Sequence, residues 1–335
     1  MKSVLVTGGA GFIGSNFVHH LLEKHDYSVT ILDKLTYAGN MDNLKDVIED
    51  ERVTFVKGDV CDPAAVGDCV READCVVHFA AETHVDRSIL DAGVFVQTDV
   101  FGTFVMLEAA RKRGISKFLH ISTDEVYGEA GAGPSKETDP LMPKSPYAAS
   151  KAGADRLAYS YYVTYGVPVV ITRCTNNYGP YQHPEKLIPL FVTNAMKDKE
   201  LPVYGTGENT RDWINVRDHC EVLDTLMHKD GLEGEVFNVG SGVEKSVLDI
   251  AGSILAELDK PESLLKHVED RKGHVVRHAV STSKIRERLG WEPRSSFKDG
   301  MKATIQWYLD NEWWWSKVKD KKFEDYYQAL HGKAE

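Results

Sequence analysis

The sequence predicts an α/β protein, a doubly wound parallel sheet followed by a smaller mixed α/β lobe, on three observations. Short β-branched runs ("SVLVTG", "SVTILD", "VTFVKGD", "CVVHFAA", "FLHIST", "VPVVITRC") alternate with longer amphipathic stretches such as "GSNFVHHLLEK", "TFVMLEAARKRG" and "PYAASKAGADRLAYSYYVTYG". The strand runs are apolar throughout, as strands are when helices cover both faces of a sheet. A glycine-rich turn, "GGAGFIG", stands between the first strand and the first helix.

The alternation holds to about residue 175, after which "NNYGPYQHPEKLIP" reads as loop and the pattern becomes patchy. "RDWINVRDHCEVLDTLM" and "EVFNVGS" read as a return to the main sheet. The expected division is a main domain over residues 1–175 with 212–250, and a smaller mixed α/β C-terminal lobe over 176–211 with 251–335. Trp313, Trp314 and Trp315 in "NEWWWSKVKD" are expected to pack a terminal helix onto the body.

With 335 residues, 42% hydrophobic and 27% charged, the chain can bury a sizeable core without staples. Its net charge of −11 argues against a nucleic-acid surface, so an anionic ligand needs a local basic pocket. Cys61, Cys69, Cys75, Cys174 and Cys220 have no C-x-x-C spacing and read as reduced thiols. Most of the thirteen histidines have no partner pattern suggesting a metal, and none is expected. The chain opens on a strand-like "KSVLVTGG", with no charged segment leading into a long apolar one and no apolar run long enough to span a bilayer. A cytoplasmic enzyme is expected.

The turn after the first strand carries Gly8, Gly11 and Gly14, with Phe12 and Ile13 between them. Strand, tight glycine turn and helix are the context a dinucleotide fingerprint needs, since glycine lets the backbone approach a pyrophosphate at the positive helix N-terminus. Asp33 ends the second strand nineteen residues after Gly14. A carboxylate there accepts hydrogen bonds from a ribose and repels a 2′-phosphate, which favours NAD over NADP. Asp59 ends the third strand near the adenine edge, and "HFAAETHVD" ends the fourth beside the nicotinamide half. The candidate cofactor set is completed by Lys34, Leu35, Thr36, Val60, Ala80, Ala81, Thr98 and Asn177, with Tyr147 and Lys151.

Tyr147 and Lys151 lie four apart in "SPYAASKAGADRL" and share a helix face. Bringing a phenol from a pKa of about 10 to neutrality needs about 4 kcal/mol, expected from Lys151 and a positive nicotinamide ring together. The phenolate could then take the proton of a substrate hydroxyl as its hydride leaves.

"GGAGFIG", "ISTDEVYG" and "YAASK" together resemble the extended short-chain dehydrogenase/reductase family, which joins a Rossmann domain to a smaller substrate domain and mostly acts on nucleotide sugars. The likeness is specific to the dTDP-glucose 4,6-dehydratases through "LDKLTYAGN", "AAETHVDRSI", "STDEVYG", "NNYGPYQHPEKLIP", "YGTGENTRDWINV" and "DRKGH", which span nearly the whole chain. The resemblance implies C4 oxidation, loss of water across C5 and C6, and hydride return to C6, giving a 4-keto-6-deoxy sugar with NAD regenerated each turn. It also implies roles: Asp124 as the acid toward the C6 hydroxyl, Glu125 as the base at C5, Thr123 as a hydroxyl near O4. Two carboxyls can do both jobs when their surroundings push their pKa values apart.

A sugar nucleotide brings a pyrophosphate, for which Lys186, Arg211, Arg271 and His274 are the candidate cations. By resemblance Asn176 and Thr83 contact the sugar nucleotide and Tyr204 in "LPVYG" stacks on the base, with Leu187, Pro202 and Asp270 beside them. One departure stands out: where many relatives read N-E-x-x-N-L, this chain has Val243 and Val247 in "VEKSVL". A polar contact toward the nucleotide end is lost or replaced by Ser246, which keeps UDP-glucose open as an alternative substrate. A nucleotide-sugar epimerase or decarboxylase is a further alternative, though Asp124 and Glu125 have no evident use in epimerisation. A non-catalytic dinucleotide sensor would be expected to lack Tyr147 or Lys151. The resemblance also implies a homodimer through "DVFGTFVMLEAARKRG" and "SPYAASKAGADRLAYSYYVTYG".

Overall fold

The structure, a computed structural model, describes residues 1–270, 273–320, 323 and 325. Strand β1 (Ser3–Thr7) leads through the glycine turn into helix α1 (Phe12–Lys24), then β2 (Ser28–Asp33), β3 (Val53–Lys57), α2 (Pro63–Arg71) and β4 (Cys75–His78). Short helices α3 (Val85–Leu90) and α4 (Ala92–Phe95) run into a π-helical stretch, Val96–Gly102, that continues as α5 (Thr103–Arg113). Then come β5 (Lys117–Thr123), the long α6 (Pro146–Tyr165) and β6 (Val169–Cys174). With β10 (Val236–Val239) these strands form a seven-stranded sheet ordered β10-β6-β5-β4-β1-β2-β3, parallel at every pairing.

Alternate residues of β1 serve opposite faces, as the two-residue period of a strand requires. Val4 and Val6 join the core under α1, whereas Leu5 joins the core under α2, α5 and α6. Burial on both faces explains why these strands read as continuous apolar runs.

The smaller lobe is built from β7 (Asn176–Tyr178), α7 (Leu187–Ala195), β8 (Leu201–Tyr204), β9 (Thr210–Asn215), β11 (Glu244–Ser246), α9 (Val247–Glu257), β12 (Leu265–Val268) and β13 (Arg277–His278). β9 pairs with β7 and β13 in parallel and with β11 antiparallel, while β8 pairs with β12. α11 (Phe297–Asp310) and α12 (Glu312–Val318) close its core.

The division departs from expectation at three places. "RDWIN" is β9, in the smaller sheet; only the helix after it, α8 (Val216–His228), returns to pack on α1. β11 and the start of α9, placed with the main domain up to residue 250, pair and pack in the smaller lobe. Conversely α10 (Ser283–Leu289), placed in the smaller lobe, sets Ile285 into the main core beside β10. The segment assigned as 251–335 also includes residues outside those described.

Trp314 and Trp315 are buried as expected, but Trp313 is 42% exposed. Trp314 Nε1 donates to Asn43 Oδ1 at 2.8 Å, and Asn43 Nδ2 donates to the Ala10 carbonyl of the glycine turn at 2.9 Å. The terminal helix is thereby tied to the cofactor turn.

One helical run, Ala92–Arg113, is long and apolar enough by length and composition to cross a membrane, contrary to the expectation from sequence. Its apolar character has two causes in the fold. One side is core, and Val94, Val96, Phe101 and Phe104 are exposed on another.

Candidate active site

Strand order reverses between β1 and β4, and a cleft of about 1980 Å³, open to solvent, lies over the carboxyl ends of the strands there. Ligands collect at such switch points. The glycine turn forms one wall: Gly8 has φ +69°, and a Cβ on it would sit 2.7 Å from the Ala80 nitrogen. A Cβ on Gly14 would meet the Gly8 carbonyl oxygen at 2.3 Å. Gly11 precedes α1 without any side-chain cap, so the first N–H groups of that helix stay available to an anion. These features fit a dinucleotide pyrophosphate.

Asp33 is held by the Ala10 N–H at 3.0 Å and the Leu35 N–H at 2.8 Å. Burial pushes its pKa up, against those two hydrogen bonds. Phe12, Ile13, Lys34, Thr36, Asp59, Val60, Ala80, Ala81, Thr98 and Asn177 line the same cleft, with Lys34 Nζ 2.6 Å from Asp59 Oδ2. Leu35 is the exception. With φ +57° its side chain packs on the core, and it serves the site only through the N–H that holds Asp33.

Ser145 caps α6 by accepting from the Ala148 N–H, and Pro146 begins the helix. Tyr147 and Lys151 follow one turn apart, both lining the cleft. Lys151 Nζ donates to the Ile121 carbonyl at 2.7 Å. Behind it lies Asp99 from the π-helical stretch, whose carboxylate accepts from Ser150 Oγ at 2.5 Å and the Glu82 N–H at 2.8 Å. Burial pushes Asp99 up to about 6 and Lys151 down, and their mutual attraction opposes both shifts. Burial, then the Glu125 charge, pushes Tyr147 well above the usual phenol range, while a hydrogen bond with Thr123 pulls the other way. The protein by itself therefore does not depress the phenol.

β5 ends at Thr123, whose hydroxyl accepts from the Glu125 N–H at 3.3 Å and so caps a single turn over Asp124–Tyr127. That turn separates the two acids. Glu125 lines the cleft; Asp124 is 3% exposed and lies behind it. Asp124 Oδ1 receives the Thr123 hydroxyl at 3.3 Å, and Oδ2 finds no partner among the described residues. Burial, then Glu125 and Asp212, push Asp124 up to about 8, against the pull of Arg211. It holds its proton at neutral pH.

A second space of about 930 Å³, open to solvent, adjoins the cleft, the two sharing His84, Asn176, Glu185, Leu187, Arg211 and Trp213. Pro202, Tyr204 and His274 line it, with His274 Nδ1 held by Asp270 at 2.6 Å. Asp270 itself is not in the wall. Arg211 Nη2 donates to the Val275 carbonyl at 3.0 Å, which anchors the guanidinium between the two spaces. Lys186 and Thr83 line the main cleft instead, joined at 3.2 Å. Arg271 lies outside the described residues. Val247 forms part of the cavity wall, and Val243 spends its carbonyl on the Trp213 N–H. Ser246 does not replace the lost amide: its hydroxyl caps α9, accepting from the Asp249 N–H at 3.0 Å.

Sequence reasoning missed Glu185 and Arg87. Glu185 lines both spaces and accepts from Arg87 Nε at 2.9 Å. Burial pushes its carboxyl up, but His84, His183, Lys186 and Arg87 bring it down to about 2. Arg87 stacks on Tyr37 at 3.6 Å, and the Tyr37 hydroxyl donates to the Thr83 carbonyl at 2.8 Å. The only local signal was an acid directly before Lys186 in "PEKLIP".

The model of the family described as GDP-mannose 4,6 dehydratase matches residues 5–304. A dTDP-glucose 4,6-dehydratase of Streptomyces niveus is 49% identical over 321 residues, covering 94% of this chain and 95% of that one. A low-salt glycan biosynthesis protein of Haloferax volcanii is 52% identical over 309 residues, covering 92% and 99%. Among solved structures, the dTDP-glucose 4,6-dehydratase DesIV of Streptomyces venezuelae, with NAD and dTDP bound, superposes with a TM-score of 0.93. It is 48% identical, covering 95% of this chain and all of that one.

Proposed function

This chain belongs to the GDP-mannose 4,6-dehydratase family, and from that premise we propose that it is an NAD-dependent nucleotide-sugar 4,6-dehydratase that converts dTDP-glucose to dTDP-4-keto-6-deoxyglucose. The observation that carries the reading is the contrast between Asp124, buried with one carboxyl oxygen unpartnered among the described residues, and Glu125 in the cleft wall. An epimerase has no use for a proton donor and a base side by side at a strand end.

NAD bound in the cleft supplies reversible hydride uptake, from C4 at the start and to C6 at the end. Tyr147 removes the proton of the C4 hydroxyl, with Thr123 hydrogen-bonded beside it. Lys151, fixed by the Ile121 carbonyl, places a positive charge near the phenol. The C4 ketone makes the C5 proton acidic, and Glu125 takes it. Asp124 gives its proton to the C6 oxygen, which leaves as water while the C5–C6 double bond forms. When C6 is reduced, a proton returns to C5, and the product is the 4-keto-6-deoxy sugar. Glu125 ends protonated after the first transfer and is the nearest group to return that proton.

We place the nucleotide in the cavity between Tyr204 and Arg211, with Arg211 and Lys186 toward the diphosphate. The cofactor side is the main domain and the nucleotide side the smaller lobe. Val247 in that wall supports a second reading, the same reaction on UDP-glucose. Leu90, Val94, Val96 and Phe104, with Tyr159, Val163 and Tyr165 of α6, leave exposed apolar side chains along neighbouring helices. That surface supports a homodimer. The all-thiol cysteine set supports a cytoplasmic location.

Mass spectrometry of parallel incubations with dTDP-glucose and UDP-glucose tests the reading. Loss of water from the dTDP sugar is expected. A C4 epimer with no loss of water from either substrate overturns it.

A further inference from the structure

At the opposite end of the main sheet from the cleft, three imidazoles converge on one carboxylate. His20 and His25 lie at the end of α1, and Asp224 and His228 on the last turns of α8. His25 Nε2 is 2.9 Å from Asp224 Oδ1 and 3.0 Å from Oδ2, and His20 Nε2 is 3.0 Å from Oδ2. His228 Nδ1 is 3.0 Å from Asp224 Oδ1 and also 2.8 Å from the Asp224 carbonyl, while its Nε2 meets the Tyr27 hydroxyl at 2.6 Å. The His25 and His228 rings stand 4.8 Å apart, and one donor atom from each of His25, Asp224 and His228 falls within 4.8 Å of the others.

We propose that His25, Asp224 and His228 bind a divalent transition cation of the zinc class. The observed separations suit it. Ligands about 2.0 Å from a tetrahedral zinc lie roughly 3.3 Å apart, close to the 2.9–3.0 Å seen here. Two imidazoles and one carboxylate favour zinc, nickel or copper over magnesium or calcium, which prefer oxygen alone. Orienting partners are in place for two of the three ligands, Asp224 and His228. His20 holds the second oxygen of Asp224. Tyr27 can accept from His228 Nε2–H once Nδ1 faces the metal and gives up the Asp224 carbonyl. The Arg52 guanidinium fixes the His25 carbonyl at 2.9 Å. His228 is partly exposed, which leaves a side open for water as fourth ligand. A cation here would staple α1 to α8, two helices on one face of the sheet. It would not touch the reacting sugar.

Untagged full-length protein with its NAD retained is freed of metal by chelation and titrated with zinc chloride by calorimetry, with thermal unfolding followed in parallel. One equivalent of saturable binding is expected, with a Tm rise of about 3–6 °C at a hundredfold excess over Kd. Cobalt(II) should give the intense visible bands of a tetrahedral site. His25→Ala and His228→Ala should each weaken zinc binding at least tenfold, remove the Tm rise and leave turnover unchanged. Zinc binding or a Tm rise that survives in both variants overturns the proposal, as does the absence of a saturable equivalent in the unaltered protein.

Discussion

Asp124 and Glu125 are adjacent in the chain, yet the turn that begins at Thr123 puts Glu125 in the cleft wall and Asp124 behind it, with one carboxyl oxygen unpartnered. The Glu125 charge, after burial, holds the proton on Asp124.

Asp124→Asn is expected to lower kcat by about 10² to 10⁴, the usual contribution of a general acid. In the parent enzyme kcat should fall as pH rises through about 8, where Asp124 ionises. Stability follows the same sign. A pKa raised on folding stabilises below the unfolded value near 4 and loses that contribution as pH climbs toward 8. Asp124→Asn should therefore melt about 2–6 °C higher than the parent at pH 9. A flat activity profile from pH 6 to 9 in the parent would remove Asp124 from the acid role.

Glu125→Gln should still oxidise C4, because that step uses only Tyr147, Lys151 and the cofactor. Exchange of the C5 proton with solvent deuterium should slow by about 10² or more. Asp124→Asn should retain that exchange while losing water elimination. Equal exchange rates in the two variants would assign the base elsewhere.

Tyr147→Phe should abolish most turnover with substrate Kd nearly unchanged, since the lost hydroxyl acts on a proton in the transition state. Turnover close to the parent's would rule out the phenol as the base for C4.

Asp33→Ala should weaken NAD binding and reduce discrimination against NADP. A released cofactor that is mainly NADP(H) in the parent protein would contradict the assignment of Asp33 to the ribose.

The main sheet was legible because both of its faces are covered, which writes each strand as an unbroken apolar run. Tyr147 with Lys151, and Asp33 after the glycine turn, were legible because their spacing is local. Sheet membership is not local: "TRDWIN" carries only two apolar residues, Trp213 and Ile214, and it is its partners, β7 and β13, that place it in the smaller lobe. The return of α10 to β10 is likewise a contact across some fifty residues. Glu185 and Arg87 are ordinary charges in sequence and become an ion pair, with Glu185 buried and Arg87 half-buried, only when α3 meets the loop before α7. His25 and His228 lie about two hundred residues apart, so no spacing could have paired them.

The hydrogen bond from Trp314 to Asn43, and on to Ala10 in the glycine turn, bears on how long the cofactor stays. Both side chains are almost wholly buried, so swinging the smaller lobe away from the main one would strip a desolvated amide and an indole of their partners. Such a bolt suits an enzyme that returns its dinucleotide to the starting redox state in every cycle. A dehydrogenase has to trade its coenzyme with the bulk pool at each turnover and needs a door for it. Here the sugar nucleotide alone needs to come and go, while the dinucleotide can remain as a resident part of the protein.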